Sequence, residues 1–267
     1  MRIARFAHAK GMSFGVVEGE PEAGPEGLTI AEIEGHPFGE IRFTSARWAL
    51  ADVRLLSPIL PSKVVCVGRN YVEHAAEQSA EVPTEPLLFL KPSTSVVGPR
   101  DAIRLPLQSQ HVDHEAELAV VIGPPGARRA DRATASKAIF GYTCANDVTA
   151  RDLQRADGQW TRAKGFDSFC PIGPWIVTGL DVSDLEVRCE VGRKPEEMEV
   201  RQLGRTKDMV FDVPTLVSYI SHVMTLLPGD VILTGTPAGI SPLTDGDTVT
   251  VRIEGIGSLS NPVVRAA

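Results

Sequence analysis

Two glutamates separated by one residue stand at the start of an apolar segment. Glu115 and Glu117 precede residues 118–122, a run of small and β-branched residues that ends at a Gly-Pro-Pro turn. This run predicts a buried strand, and side chains alternate along a strand, so the two carboxylates would share one face. Carboxylate oxygens are the ligands that hard divalent cations prefer. The pair indicates either a solvated strand end or part of a metal site, and a third carboxylate would favour the metal.

A third carboxylate follows the next predicted strand. Residues 139–146 have a strand pattern, Asp147 stands at its end, and residue 148 is predicted to begin a helix. Asp147 is therefore either the cap of that helix or the third ligand, and both interpretations stay open. Arg151 and Gln154 follow one and two turns along the same helix, on the same side.

A histidine and a second acidic residue form a candidate general-base pair. The pattern of residues 71–78 predicts a short helix, on which His74 and Glu77 share a face because they are three residues apart. A histidine held by a carboxylate is suited to proton transfer, although an exposed polar pair on a surface helix has the same spacing. Lys164 lies among small and apolar residues and is a candidate for the wall of a site.

The length and composition limit the architecture that positions these residues. A chain of 267 residues with 43% hydrophobic content supports one large domain, or one large and one small domain. Twenty prolines and 24 glycines indicate many turns and hence many short strands. We expect a small β-rich domain over residues 1–57, a boundary at Ser57-Pro58, and a main domain over residues 58–267.

The charge and the cysteines limit the partners and the compartment. The net charge is −7 and no basic block is present, which argues against nucleic acid or an anionic membrane as a partner. The sequence has no signal-peptide pattern and no stretch long enough to span a bilayer. The four cysteines are scattered, so we expect reduced thiols and a cytoplasmic location.

Taken in order, the motifs resemble those of the fumarylacetoacetate hydrolase family, in particular its shorter, bacterial-type members. The resemblance extends from about residue 63 to the C-terminus. The segments that carry it are Gly68-Arg69-Asn70-Tyr71 with His74 and Glu77, Phe89-Leu90-Lys91-Pro92, Glu115-x-Glu117-Leu118, Asn146-Asp147-Val148-Thr149-Ala150-Arg151-Asp152, Lys164-Gly165-Phe166-Asp167 and Thr234-Gly235-Thr236-Pro237. It implies a β-dominated α+β fold, with mixed sheets rolled around the site and a small β-rich N-terminal domain, and a homodimer.

The resemblance also implies a role for each candidate residue. Glu115, Glu117 and Asp147 would bind Mg²⁺ or Mn²⁺, and three carboxylates within about 5 Å would otherwise repel one another by roughly 3 kcal/mol per pair at an effective dielectric near 20. Longer family members have a fourth carboxylate near the segment 69–71, so three protein ligands are expected here. His74, oriented by Glu77, would be the base, and Lys164 would stabilise an enolate. The implied substrate contacts are Arg69, Tyr71, Arg151, Gln154, Gly235 and Thr236.

The implied substrates are small 2-oxo or 2,4-dioxo acids of the kind met in the catabolism of aromatic compounds. The first expectation is a metal-dependent hydrolase that cleaves a C–C bond in acylpyruvates such as fumarylpyruvate, through an enolate. A 2-hydroxyhepta-2,4-diene-1,7-dioate isomerase and an oxaloacetate decarboxylase share that enolate and are the alternatives. A metal-stabilised binding protein without catalysis is the remote alternative.

Overall fold

The computed structural model describes residues 1–19 and 25–266, and within them strands far outnumber helices. The strands are β1 Arg2–His8, β2 Gly11–Glu18, β3 Thr29–Ile33, β4 Phe43–Ala49, β5 Arg54–Leu56, β6 Val64–Gly68, β7 Leu87–Lys91, β8 Val96–Val97, β9 Ile103–Leu105, β10 Val112–Asp113, β11 Ala116–Ile122, β12 Ile139–Asn146, β13 Thr149–Ala150, β14 Cys170–Val177, β15 Glu186–Gly192, β16 Glu199–Arg205, β17 Val231–Leu233, β18 Thr248–Ile253 and β19 Gly257–Arg265. The helices are α1 Val72–Glu77, α2 Arg132–Lys137, α3 Arg151–Asp157, α4 Thr161–Lys164 and α5 Val213–Val223. The predicted strand-dominated α+β fold is confirmed.

One large sheet contains most of the strands. Its order is β4-β3-β2-β1-β14-β12-β11-β17-β6-β7, with β5 beside β1 and β8 beside β14. Strand β11 lies in the middle, antiparallel to β12 and β17, and β17 is parallel to β6. Both faces of β11 are buried: Leu118 and Val120 belong to one apolar cluster, and Ala119 and Val121 belong to another. Because both faces are covered, a polar side chain at this depth needs a specific partner.

Two smaller sheets complete the fold. A five-stranded sheet has the order β16-β15-β18-β19-β9, and β10 pairs with β13. The N-terminal strands continue the large sheet, since Ile3 of β1 pairs with Ile176 of β14. The division between residues 57 and 58 stays a prediction. No helix among the described residues is long and apolar enough to cross a membrane.

The segment after Asp147 differs from the prediction. A helix was expected from residue 148, but α3 begins at Arg151, because Thr149 and Ala150 first pair with β10. Asp147 therefore does not cap a helix. Its backbone N–H instead donates to the carbonyl of Glu115 at 2.9 Å. This bond places the end of β12 directly beside the start of β11.

Candidate functional site

The three predicted metal ligands converge at the centre of the large sheet. Oxygen atoms of Glu115, Glu117 and Asp147 lie within 4.8 Å of one another, and all three residues are buried. The strand register explains the convergence. Glu117 pairs with Ala145 of β12, so Asp147, two residues further on and just past the end of β12, comes opposite Glu115. The prediction that both glutamates project from one face of β11 is confirmed.

Three buried cations surround these carboxylates. Lys164 Nζ lies 2.9 Å from Glu115 Oε2 and 2.7 Å from Asp147 Oδ2, and Lys91 Nζ lies 2.6 Å from Asp147 Oδ1. Arg151 Nη2 donates to Glu115 Oε1 at 2.6 Å. The cations therefore already offset part of the repulsion between the carboxylates. No role was predicted for Lys91, although the sequence contained one signal, a lysine at the end of an apolar strand. In the structure this lysine is only 1% exposed.

Glu117 is the ligand candidate that these cations do not contact. Its Oε2 accepts a hydrogen bond from the Gly235 N–H at 2.6 Å. Burial raises the pKa of Glu117 well above its usual value, and the charges of Asp147 and Glu115 raise it further. Burial acts in the same direction at Glu115, but Lys164 and Arg151 outweigh it and hold that pKa low. Within residues 1–19 and 25–266, no positive side chain therefore forms an ion pair with the Glu117 carboxylate, and the all-oxygen donor set fits a hard divalent cation.

A buried asparagine holds the loop that contacts Glu117. Gly235 has a left-handed φ of +99°, and a Cβ there would lie 2.7 Å from Asn70 Cβ. Asn70 Nδ2 donates to the Thr234 carbonyl at 2.7 Å, and Asn70 Oδ1 accepts from the Phe211 N–H at 2.8 Å. The side chain of Asn70, which the sequence analysis did not single out, therefore fixes the position from which Gly235 binds Glu117.

A glutamine from the smaller sheet holds the next residue of this loop. Thr236 Oγ1 donates to the Ala116 carbonyl at 2.8 Å and accepts from Gln202 Nε2 at 2.7 Å. Gln202 Oε1 accepts from both His114 Nδ1 and the Ala116 N–H. Gln202 was not predicted, since its contacts join segments far apart in the sequence. The Thr236 hydroxyl is thus committed to holding the start of β11.

The candidate base lies inside the protein. His74 on α1 is only 3% exposed, and its Nδ1 lies 3.2 Å from Glu77 Oε2. The other oxygen of Glu77 accepts from the Gly239 N–H at 3.1 Å. Gln78 Nε2 lies 3.0 Å from His74 Nε2. The alternative of an exposed surface pair therefore fails for His74, whereas Glu77 is exposed. The carboxylate of Glu77 keeps the histidine proton on Nδ1.

The site has an inner and an outer compartment. An inner space of about 10 Å³ is lined by His74, Glu115, Glu117 and Lys164, together with Arg69, Gln154 and Thr236. It adjoins an outer cavity of about 540 Å³. The residues that line the outer cavity are Arg69, Glu77, Gln78, Ser79, His111, Asp113, Arg151, Gln154, Arg155, Trp160, Ile240 and Pro242. The candidate base, the ammonium of Lys164 and two of the carboxylates thus face one small space.

The two predicted arginine anchors differ in how they are held. Arg151 donates to Asp113 Oδ2 at 3.0 Å and to Gln154 Oε1 at 2.7 Å, in addition to Glu115. It therefore positions a candidate metal ligand. Arg69 has a left-handed φ of +57°, and its buried Nε has no hydrogen-bond partner in the part of the chain that the structure describes. Of the two, Arg69 is better placed to bind an anion, because strained backbones and unpaired buried donors concentrate at functional sites.

The remaining predicted contacts are placed as follows. Gln154 faces both compartments beside Arg151, whereas the Gly235 N–H faces Glu117. Tyr71 is buried at the start of α1 and does not line either compartment, and burial raises the pKa of its hydroxyl. The structure therefore brings together all the predicted site residues except Tyr71. The substrate contacts themselves stay predictions.

Comparison with known proteins identifies the family. A family model described as fumarylacetoacetate (FAA) hydrolase C-terminal matches residues 63–264, and one described as Rv2993c-like, N-terminal matches residues 1–58. The crystal structure of 2-hydroxyhepta-2,4-diene-1,7-dioate isomerase from Mycobacterium marinum is 54% identical, with a TM-score of 0.91 and coverage of 100% of this chain and 99% of that one.

Two further relatives have other activities in their names. Oxaloacetate tautomerase FAHD2A, mitochondrial, from Homo sapiens is 45% identical over 85% of this chain and 77% of its own. The crystal structure of maleylpyruvate hydrolase from Sphingobium sp. SYK-6 in complex with manganese(II) ion and pyruvate is 31% identical, with a TM-score of 0.78 and full coverage of both chains. Since the first family model spans most of the residues and the relatives match nearly throughout, this chain belongs to the fumarylacetoacetate hydrolase family.

Proposed function

We propose that this chain is a divalent-metal-dependent enzyme that interconverts the keto and enol forms of a 2-oxo dicarboxylic acid such as oxaloacetate. The observation that carries the proposal is the small space at which a candidate base, a buried ammonium group and the carboxylate cluster meet. Proton exchange beside a carbonyl needs one base and positive charge near the carbonyl oxygen. The site contains the base and the ammonium group, and its carboxylates suit a metal.

The carboxylates and Lys164 serve the carbonyl end of the substrate. Glu115, Glu117 and Asp147 would hold Mg²⁺ or Mn²⁺, and such an ion, when bound, supplies a Lewis acid that polarises the 2-oxo group. The Lys164 ammonium contacts two of these residues. It therefore adds positive charge beside the oxygen on which negative charge develops.

The proton transfer is assigned to His74. Glu77 keeps a proton on Nδ1, so Nε2 is the basic nitrogen, and the Gln78 side chain occupies it until substrate takes its place. His74 then removes a proton from C3, the C–H electron pair becomes the C2–C3 double bond, and the C=O π pair moves onto the oxygen. The His74 imidazolium gives its proton back to that oxygen, so that the enol and the neutral imidazole result. The same steps in reverse return the keto form.

The outer cavity favours a substrate with a second carboxylate. Arg69, Arg155 and His111 line it beside the inner space, and guanidinium groups bind carboxylates in two-pronged geometry. The human tautomerase and the mycobacterial isomerase are both named for dicarboxylic acids. A 2-oxo dicarboxylate would place its reacting end at the carboxylate cluster and its second acid group at Arg69.

The ultraviolet absorbance of the enol tests this proposal. Wild-type protein with Mg²⁺ should speed the conversion of enol-oxaloacetate to the keto form above the buffer rate, and EDTA should remove the effect. We expect His74→Gln to slow the reaction about 100-fold or more, while His222→Gln, at an exposed position on α5, leaves it unchanged. If the wild type does not exceed the buffer rate with Mg²⁺ or Mn²⁺, the proposal is wrong.

Hydrolysis of 2,4-dioxo acids is the second candidate. A histidine held by a carboxylate can also activate water, and the maleylpyruvate hydrolase neighbour favours this reading. Pyruvate release from fumarylpyruvate, with Mg²⁺ and then with EDTA, tests it. In a hydrolase, His74→Ala should lose hydrolysis yet keep part of the enol–keto exchange. Carbon dioxide release from oxaloacetate would indicate the decarboxylase, and metal-induced stabilisation without turnover would indicate a binding protein.

A further inference from the structure

Trp160 forms a wall at the outer end of the site. Its ring meets the Phe89 ring nearly edge to face, with centroids 5.2 Å apart, and the Arg69 guanidinium lies 5.9 Å from its centroid. The indole also lies against the backbone of Gly68, where an added Cβ would come within 2.8 Å of Trp160 Cζ3. These contacts on several sides hold the ring in one position.

A second cavity lies on the other side of this wall. It has a volume of about 720 Å³, and its lining is largely apolar, with Leu87, Leu90, Val223 and Met224 among its residues. Arg69 and Trp160 line both this cavity and the outer cavity of the site. Trp160 therefore separates a compartment with cationic side chains from one that suits a hydrocarbon chain.

The wall is also fixed relative to the reacting end of the site. Trp160 directly precedes α4, and its backbone carbonyl accepts the N–H of Lys164 at 3.0 Å. Lys164 in turn contacts Glu115 and Asp147. One helical turn thus sets the distance between the ammonium and the indole, and hence the length available to a bound substrate.

We infer that Trp160 is a specificity-determining residue that restricts the site to short 2-oxo dicarboxylic acids by excluding hydrocarbon chains from the apolar cavity. The inference rests on the proposed function, because it assumes that a 2-oxo acid binds with its reacting end at the carboxylate cluster. A short dicarboxylate ends at Arg69, whereas a longer aliphatic chain meets the indole. Without the indole ring, the hydrocarbon chain of the ligand enters the apolar cavity, where each buried methylene raises the affinity of the protein for the ligand about fourfold.

Titration calorimetry with straight-chain 2-oxo acids tests the inference without requiring turnover. In the full-length protein with Mg²⁺, wild-type affinity should not rise from 2-oxobutanoate to 2-oxooctanoate. In Trp160→Ala, the affinity for 2-oxooctanoate should exceed that for 2-oxobutanoate by at least about 15-fold, which corresponds to two buried methylenes. Trp160→Leu should show a smaller gain in the same direction and keeps the test valid if the alanine variant does not fold.

Val223→Ala is the matched control. Val223 is 59% exposed and lines the apolar cavity but neither compartment of the site, so its truncation widens that cavity without opening it to the site. In this variant, the affinity should depend on the length of the 2-oxo acid as it does in the wild type. An unchanged profile in folded Trp160→Ala and Trp160→Leu would overturn the inference and leave the proposed function standing. A wild type that binds neither these acids nor oxaloacetate would overturn both.

Discussion

Replacement of Lys91 by methionine would remove a buried charge beside the candidate metal ligands while keeping the length of the side chain. Lys91 Nζ donates to Asp147 Oδ1 at 2.6 Å and to the Val148 carbonyl at 3.0 Å, and both side chains of the ion pair are fully buried. Removing one partner of such a pair costs about 3–5 kcal/mol. Because Lys164 still contacts Asp147, we expect the free energy of unfolding of the metal-free protein to fall by about 3 kcal/mol, the lower end of this range.

A divalent cation should reverse much of this loss. Bound to Glu115, Glu117 and Asp147, it would supply positive charge next to the carboxylate that Lys91 has left, and a ligand present at 100 times its Kd stabilises by about 2.7 kcal/mol. The loss of a neighbouring positive charge also raises the affinity for the cation. Mg²⁺ should therefore raise the melting temperature of Lys91→Met by more than it raises that of the wild type.

Lys63→Met provides the control. Lys63 pairs with Asp230, a fully buried aspartate directly before β17 that is not part of the carboxylate cluster. Urea unfolding should show a loss of stability in this variant too. Thermal unfolding with EDTA and with saturating Mg²⁺ then separates the two lysines, because only the Lys91 variant should show an enlarged response to Mg²⁺. An equal response in both variants would refute the electrostatic argument.

Three further predictions address the metal ligand, the loop and the surface. Glu117→Gln should abolish the stabilisation by Mg²⁺ while the far-ultraviolet circular dichroism stays unchanged; a retained response would exclude Glu117 as a ligand. Asn70→Ala should cost about 1–3 kcal/mol and weaken the response to Mg²⁺, whereas Asn261→Ala, which removes two buried hydrogen bonds elsewhere, should cost a similar amount and keep it. The hydrogen bond from Arg132 lowers the pKa of Asp212 from 3.8 to about 2, so its stabilising effect is present above pH 3.8 and is lost as the pH falls towards 2. In Asp212→Asn, the free energy of unfolding should depend less on pH in this range. An unchanged dependence would contradict the stabilising role of the Asp212 carboxylate.

Local sequence patterns predicted correctly those structural features that depend on residues close together in the sequence. The alternation of β11 predicted that Glu115 and Glu117 share a face, and the structure confirms it. The helix over residues 71–78 is confirmed as α1. The cap of α5 is a feature of the same local kind, since Asp212 accepts the Thr215 N–H at 3.1 Å. Each of these depends on interactions within a few residues, which the sequence contains in full.

Features that depend on strand pairing could not be predicted in the same way. The expected helix start after Asp147 was wrong because Thr149 and Ala150 pair with β10, which is distant in the sequence. Lys91 lies beneath Asp147 only because β7 pairs with β6 and β6 pairs with β17. Arg151 was expected to bind substrate, yet three side chains occupy its guanidinium. In each case the partner is set by tertiary register, on which the local pattern carries no information.

The repulsion among the three carboxylates, from which the metal site was predicted, is weaker than expected because buried cations lie beside them. Because Lys91, Lys164 and Arg151 offset Glu115 and Asp147, repulsion between carboxylates does not by itself require a metal. The need for a cation rests on Glu117, whose side chain, within the described part of the chain, is held by one backbone N–H. The base, in contrast, belongs to α1, outside this cluster. Family members can therefore catalyse different reactions with the same carboxylate cluster, because the reaction depends on which substrate or water atom His74 reaches. This separation gives a physical reason why relatives named as isomerase, tautomerase and hydrolase can share one fold.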